Sequence, residues 1–181
     1  MIPIIDTHHH LWDVNTLNLS WLPSVPPLNR SFLMSDYLTA TQEQAVAATV
    51  YMEVDVDPDQ RQPEIEYVTA LCEDADNPMQ GAVVSGEPAS PDFTDYVMKI
   101  SNNPYVKGVR RVLHWPEMPA AACLQDDFVR GVQFLGDPVD ATMCRVCEGG
   151  GRKDGDWCPT CQGKMWIPLG SDPTTSRQSE Q

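Results

Sequence analysis

The 181-residue chain has no apolar run of membrane-spanning length and no cationic, apolar leader, so the expectation is a cytoplasmic protein without a membrane partner. Positive charge is also scarce. Twelve Lys and Arg stand against 26 Asp and Glu, for a net charge of −14. Such a surface repels phosphate backbones and anionic lipid, and nucleic acid is excluded as an expected partner. The basic doublets Arg110-Arg111 and Arg152-Lys153 are too small to make a DNA-binding face. Histidine is rarer still: the chain has only His8, His9, His10 and His114.

Three of those four are adjacent. They close the stretch that begins with Ile2, Ile4 and Ile5, an apolar run that reads as a buried strand, and they are followed by Leu11-Trp12-Asp13. The run is short, internal and set in a strand-like context, which argues against an expression tag. Side chains two apart on a strand share a side, so His8 and His10 can converge while His9 faces away. Two readings stand at this point: a metal-ligand pair, or a hydrogen-bonded structural histidine cluster.

Further apolar strands are expected near 45–56, 81–86 and 106–114, alternating with helices, which argues for an α/β fold with a parallel sheet. Ile65, Val68, Leu71 and Cys72 fall at helical spacing, and Pro63 suits a first turn. Ser35-Asp36 is expected to cap a helix running to Thr41, and 92–100 and 126–135 supply two more helices. On the fourth strand Arg110 and Val112 share one face, Arg111 and Leu113 the other, so one arginine points inward. Glu53 is either an orienting carboxylate or an exposed strand-end acid. Trp12 and Trp21 are expected to wall a pocket or core. Proline-rich loops follow the first and fourth strands, at 22–27 and 115–119.

The Asp6-Thr7-His8-His9-His10-Leu11-Trp12-Asp13 stretch, Val50-Tyr51-Met52-Glu53-Val54-Asp55, Gly81-Ala82-Val83-Val84-Ser85-Gly86 and Val106 to His114 together resemble the amidohydrolase superfamily. The likeness is to its lactonase branch, the sugar-lactone and 2-pyrone-4,6-dicarboxylate lactonases, and runs from residue 1 to about 136. It implies a (β/α)8 barrel hydrolase in which an activated water opens a lactone or similar cyclic ester. It implies His8 and His10 as catalytic residues on a divalent metal, zinc by preference, although some members of the branch use the histidines directly, without metal. Arg110, on which the Gly-Val-Arg motif aligns, would meet a carboxylated or lactone substrate with His114 nearby. The competing reading of Arg110 is a surface salt bridge to the acidic periphery.

A complete barrel needs about 250 residues, roughly twice the stretch covered here. The expectation is a truncated barrel of about four βα units, lacking the groups that the fifth, sixth and eighth strands supply in that branch. Two exposed sheet edges then demand pairing, with another copy or a complementing chain. The alternative is a non-catalytic zinc-binding interaction protein or a remnant.

Past residue 136 the composition changes. Cys144-x-x-Cys147 and Cys158-x-x-Cys161 enclose ten residues. Two such knuckles aim four thiolates at one point, as tetrahedral zinc requires, and the pattern resembles a zinc ribbon or chaperone-type cysteine-rich repeat. The expected division is 1–136 half-barrel, 137–170 zinc-ribbon-like segment and 171–181 polar tail, the last expected to be disordered. Cys72 and Cys123 fall outside the pattern and read as packed residues.

Overall fold

In the computed structural model, residues 2–116 and 118–136 are described in full, and 141–143, 152–153, 156–157 and 166–168 by their backbone. Strands β1 (Ile4–His9), β2 (Val46–Met52), β3 (Met79–Ser85) and β4 (Val106–Arg110) form one sheet in the order β1-β2-β3-β4, every neighbour parallel. Parallel neighbours need a crossover, and helices provide it: α1 (Met34–Ala40), α2 (Arg61–Glu73) and α3 (Phe93–Ile100) fall between successive strands. Helix α4 (Asp126–Leu135) follows β4. This is the α/β half-barrel of four βα units that the sequence predicts.

Three local expectations are corrected. Strand β4 ends at Arg110, because its partner β3 ends at Ser85 opposite it. Residues 111–114 therefore lie in the loop beyond. Strand β2 stops at Met52, which puts Glu53 and Asp55 at the mouth of the sheet. Helix α1 is capped at Leu33, not at Ser35-Asp36: Asp36 instead reaches back from the first turn, its Oδ2 accepting the Leu33 N–H at 2.8 Å.

The core forms where α2 covers β2 and β3. Tyr51, Val68, Met79, Ala82 and Val84 are wholly buried, joined by Leu11, Leu17, Leu19 and Leu22 from the loop after β1. Burial of each aliphatic side chain contributes about 1.5–3 kcal/mol. The α2 face is the predicted one, with Ile65 and Val68 inside and Leu71 and Cys72 packed against them. Gly86, just past β3, sits where any Cβ would collide with Val109, which lets the end of β3 lie tight against β4.

The chain divides into residues 1–129 and 130–181. In the second unit β5 (Ala141–Met143) pairs antiparallel with β8 (Trp166–Pro168), and β6 (Arg152–Lys153) with β7 (Asp156–Trp157). The expected zinc ligands Cys144, Cys147, Cys158 and Cys161, and the tail 171–181, lie outside the described residues. Among the described residues no helix is long and apolar enough to cross a membrane.

Candidate functional site

At the C-terminal end of β1 the Nε2 atoms of His8 and His10 lie 3.2 Å apart. His10 Nδ1 is 3.0 Å from the carbonyl of Met52 at the end of the adjacent strand. A carbonyl only accepts, so Nδ1 carries the proton and the Nε2 lone pair is left pointing at His8. His10 is exposed at its surface, yet partial desolvation lowers its pKa against the opposing hydrogen bond to Met52. Two imidazole nitrogens bound to one tetrahedral zinc at about 2.0–2.1 Å stand roughly 3.3 Å apart, so the pair fits a shared ion. It also fits a direct His–His hydrogen bond. Among the described residues no group of three or more His, Cys, Asp or Glu is gathered to hold a metal.

His9 does turn the other way, as the strand period requires. It is 6% exposed, packed at 4.7 Å against Tyr37, with neither ring nitrogen hydrogen-bonded. Burial brings its pKa down to about 4. Asp6 braces the start of the motif: its Oδ1 accepts the His8 N–H at 3.1 Å and its Oδ2 the Tyr37 hydroxyl at 2.9 Å. Partial burial pushes that carboxyl up, but the two hydrogen bonds prevail and its pKa is lowered.

A cleft of about 320 Å³ opens over the strand ends. It brings together His10, Glu53, Asp55, Arg110 and His114, walled by Trp12, Trp21, Val25, Leu28, Val54, Val112 and Trp115. Parallel sheets put their binding crevice at this end because the βα loops converge there. Arg110 and Val112 both face the cleft, while Arg111 turns to Asp55 (3.3 Å) and Glu87 (2.8 Å). The Arg111 Nε–Glu87 contact is a close ion pair without in-line hydrogen-bond geometry.

Arg110 is held through one nitrogen, with its side chain 35% exposed. Its Nη1 donates to Glu53 Oε1 at 2.8 Å, and Glu53 is only 1% exposed. Glu53 Oε2 also accepts the Ser85 hydroxyl (3.0 Å) and the Asp55 N–H (2.6 Å). Asp55 holds φ at 52°, a left-handed conformation that a non-glycine residue adopts when its surroundings impose it. Here its carboxylate is held by Arg111 and by the Trp115 indole N–H.

Behind the cleft stands a carboxylate that sequence reasoning missed. Glu64, wholly buried in the first turn of α2, accepts from the Tyr51 hydroxyl at 3.0 Å and from the Ser85 N–H at 2.9 Å. Burial pushes its pKa up to about 7. An acid adjoining the buried Ile65 and one turn before Val68 was the available signal.

Comparison with known proteins bears on the family and the fold. The profile of a family described as Amidohydrolase matches residues 5–146. A curated relative, the uncharacterized protein y4mH of Sinorhizobium fredii, is 26% identical over 123 residues, 63% of this chain and 41% of its own length. An amidohydrolase from Burkholderia multivorans, solved with zinc bound, is 22% identical with a TM-score of 0.57, over 72% of this chain and 44% of that one. A probable 2-pyrone-4,6-dicarboxylic acid hydrolase from Acinetobacter baumannii, solved with citric acid, is 14% identical with a TM-score of 0.52, over 72% and 46%. Amidohydrolase 2 from Bifidobacterium longum subsp. infantis gives 21% and 0.51, over 74% and 47%. The chain spans less than half the length of each of these proteins.

Proposed function

The chain belongs to the amidohydrolase family, and from that premise we propose that the His8–His10 pair, of which His10 lines the cleft, serves the hydrolysis of a lactone or similar cyclic ester by an activated water. The observation that carries the reading is the convergence of the two Nε2 atoms at 3.2 Å, with one ring locked by Met52. A divalent ion, zinc by the chemistry of an imidazole pair, would be held by His8 and His10 and would supply Lewis acidity and a water of lowered pKa. The Met52 carbonyl fixes the His10 tautomer and ring plane. The Glu53–Arg110 pair sets a fixed dipole at the cleft floor, and His114 lines the same cleft as a substrate contact.

Groups that complete the site belong, on this reading, to a second copy or a complementing chain. Strand β1 supports that partner: it is an edge among the described residues, and Ile2 and Ile5 on it and just before it are largely exposed. A structural zinc is proposed separately at Cys144, Cys147, Cys158 and Cys161.

Elemental analysis of the full chain with lactone turnover tests the assignment. A variant with all four of those cysteines changed to serine is expected to lose one metal and keep another, which His8→Ala/His10→Ala removes together with hydrolysis. Complete loss of metal in the quadruple serine variant would sink the histidine metal site. A second reading, a non-catalytic zinc-binding interaction protein, is favoured by the absence of any third gathered ligand among the described residues. Cysteine-bound metal with no turnover at any protein concentration would establish it over the first.

A further inference from the structure

We propose that Glu64 is a positioning residue for the cleft, acting on Arg110 through the Ser85 hydroxyl and Glu53. The proposal deepens the reading of this cleft as a reaction site and rests on it only for what Arg110 does to a ligand. The coupling itself is a property of the fold.

The four groups form one hydrogen-bonded chain. Arg110, partly exposed in the cleft, donates from Nη1 to Glu53 Oε1 at 2.8 Å. Glu53 Oε2 accepts the Ser85 hydroxyl at 3.0 Å, and Glu64 Oε2 accepts the Ser85 N–H at 2.9 Å. Ser85 is itself pinned: it ends β3 in register with Arg110, and its carbonyl accepts the Tyr96 hydroxyl at 2.5 Å. Beyond Glu64 the chain ends at Tyr51, whose hydroxyl donates to Oε1 at 3.0 Å. Glu53, Ser85, Glu64 and Tyr51 are all buried, so bulk water does not stand in for a lost partner.

Two carboxylates in this chain face one guanidinium, and Glu64 is the one held by neutral donors alone. The Ser85 hydroxyl has a single proton and lies near enough to Glu64 to favour its charged form as well. It therefore serves one carboxylate at a time. While Glu64 carries a proton, Ser85 donates to Glu53, which divides its charge among Ser85, the Asp55 N–H and Arg110. Once Glu64 is ionised it competes for the Ser85 proton, and Glu53 draws harder on Arg110. Burial pushes the Glu64 pKa up to about 7, which sets where the change falls. The titratable groups facing Glu64 are Tyr51 from β2, Glu53 just past its end and Tyr96 from α3, while Arg61, one turn back on α2, is 3.9 Å from Glu87.

Nitrogen-15 NMR of the Arg110 guanidinium, assigned through Arg110→Lys, and carbon-13 NMR of the Glu64 carboxyl follow both ends of the chain as the full-length protein is titrated across neutral pH. The expected result is a step in the Arg110 signal that shares the Glu64 midpoint near 7. Glu64→Gln is expected to lose that step and to keep any that comes from His10 or His114, which line the same cleft. Ser85→Ala removes it from Arg110 while Glu64 still titrates, which a purely Coulombic influence would not do. Tyr51→Phe raises both midpoints together by about one pH unit, since the charged form of Glu64 loses a donor. An Arg110 signal flat through the Glu64 titration, or a step that survives Ser85→Ala, would overturn the proposal. So would a Glu64→Gln variant that loses stability but keeps the wild-type Arg110 profile, the mark of a fold contact alone. Should Glu64→Gln fail to fold, Ser85→Ala and Tyr51→Phe decide between the same outcomes by the same signals. No turnover is read, so an absence of lactone hydrolysis counts against the proposed function and leaves the coupling standing.

Discussion

Strands β1 and β2 lie side by side, yet of β1 only His9 is buried, whereas β2 and its other neighbour β3 carry Thr49, Tyr51, Met79, Ala82 and Val84 with no exposure at all. The polar groups follow the same division. Inside, Tyr51, Glu64, Ser85 and Glu53 bond to one another, as buried donors and acceptors must. At the edge, His8 and His10 keep ring nitrogens that the fold has not consumed elsewhere. The interior strands hold the molecule together, and the edge strand carries the histidines of the proposed site.

The comparison breaks most forcefully at Tyr51. Tyr51→Ala is expected to cost about 3–5 kcal/mol in urea denaturation, from the lost ring and the cavity it leaves. Tyr51→Phe is expected to cost about 1–3 kcal/mol, because Glu64 Oε1 loses its donor in a site without water access. A loss under 1 kcal/mol for Tyr51→Ala would mean that the interior is not the stable half of the sheet.

Next in size is the pH dependence, where edge and interior act with opposite sign. His9 is held at about 4 by burial, so between about 4 and 6.5 the unfolded chain binds more protons and stability is lost as pH falls. Glu64 is held at about 7 by burial, so between about 4.5 and 7 the folded chain binds more protons and stability is lost as pH rises. Each effect is on the order of 3 kcal/mol over its window. In the wild-type chain they nearly cancel from about 4.5 to 6.5. His9→Leu is expected to expose the falling limb and Glu64→Gln the rising one, read as urea midpoints against pH. Flat profiles in both variants would refute the assignment.

Much of this was legible in the residues. The period-two rule separates His9 from His8 and His10, and Arg110 with Val112 from Arg111, and the structure keeps both separations. The α2 face follows from helical spacing and α4 from its apolar pattern. What the sequence could not display is contact between distant segments. The Arg110–Glu53 pair spans 57 positions, and Ser85 meets Glu53 across 32. Strand ends were misjudged for the same reason: Val112 and Leu113 have strand-like character, but β3 offers no partner past Ser85. The left-handed Asp55 is a product of its tertiary contacts, and no local residue pattern announces it.

The smallest expected effect sharpens the comparison furthest. Ile5 sits on β1 with 66% of its surface exposed, and Ile5→Ser is expected to change stability by less than about 0.5 kcal/mol, as ordinary surface substitutions do. That value holds only while the outer side of β1 faces water. If the strand is paired in solution, by a second copy or by chain beyond the described residues, Ile5 becomes an interior side chain like those of β2, and the same substitution costs several times more. A loss above about 1.5 kcal/mol that fades on dilution would identify a second copy, because only an intermolecular contact depends on concentration. The same loss independent of concentration would identify a covering strand from within the chain. In either case the edge would have become an interior, and the groups that complete the His8–His10 site would be sought on whatever covers it.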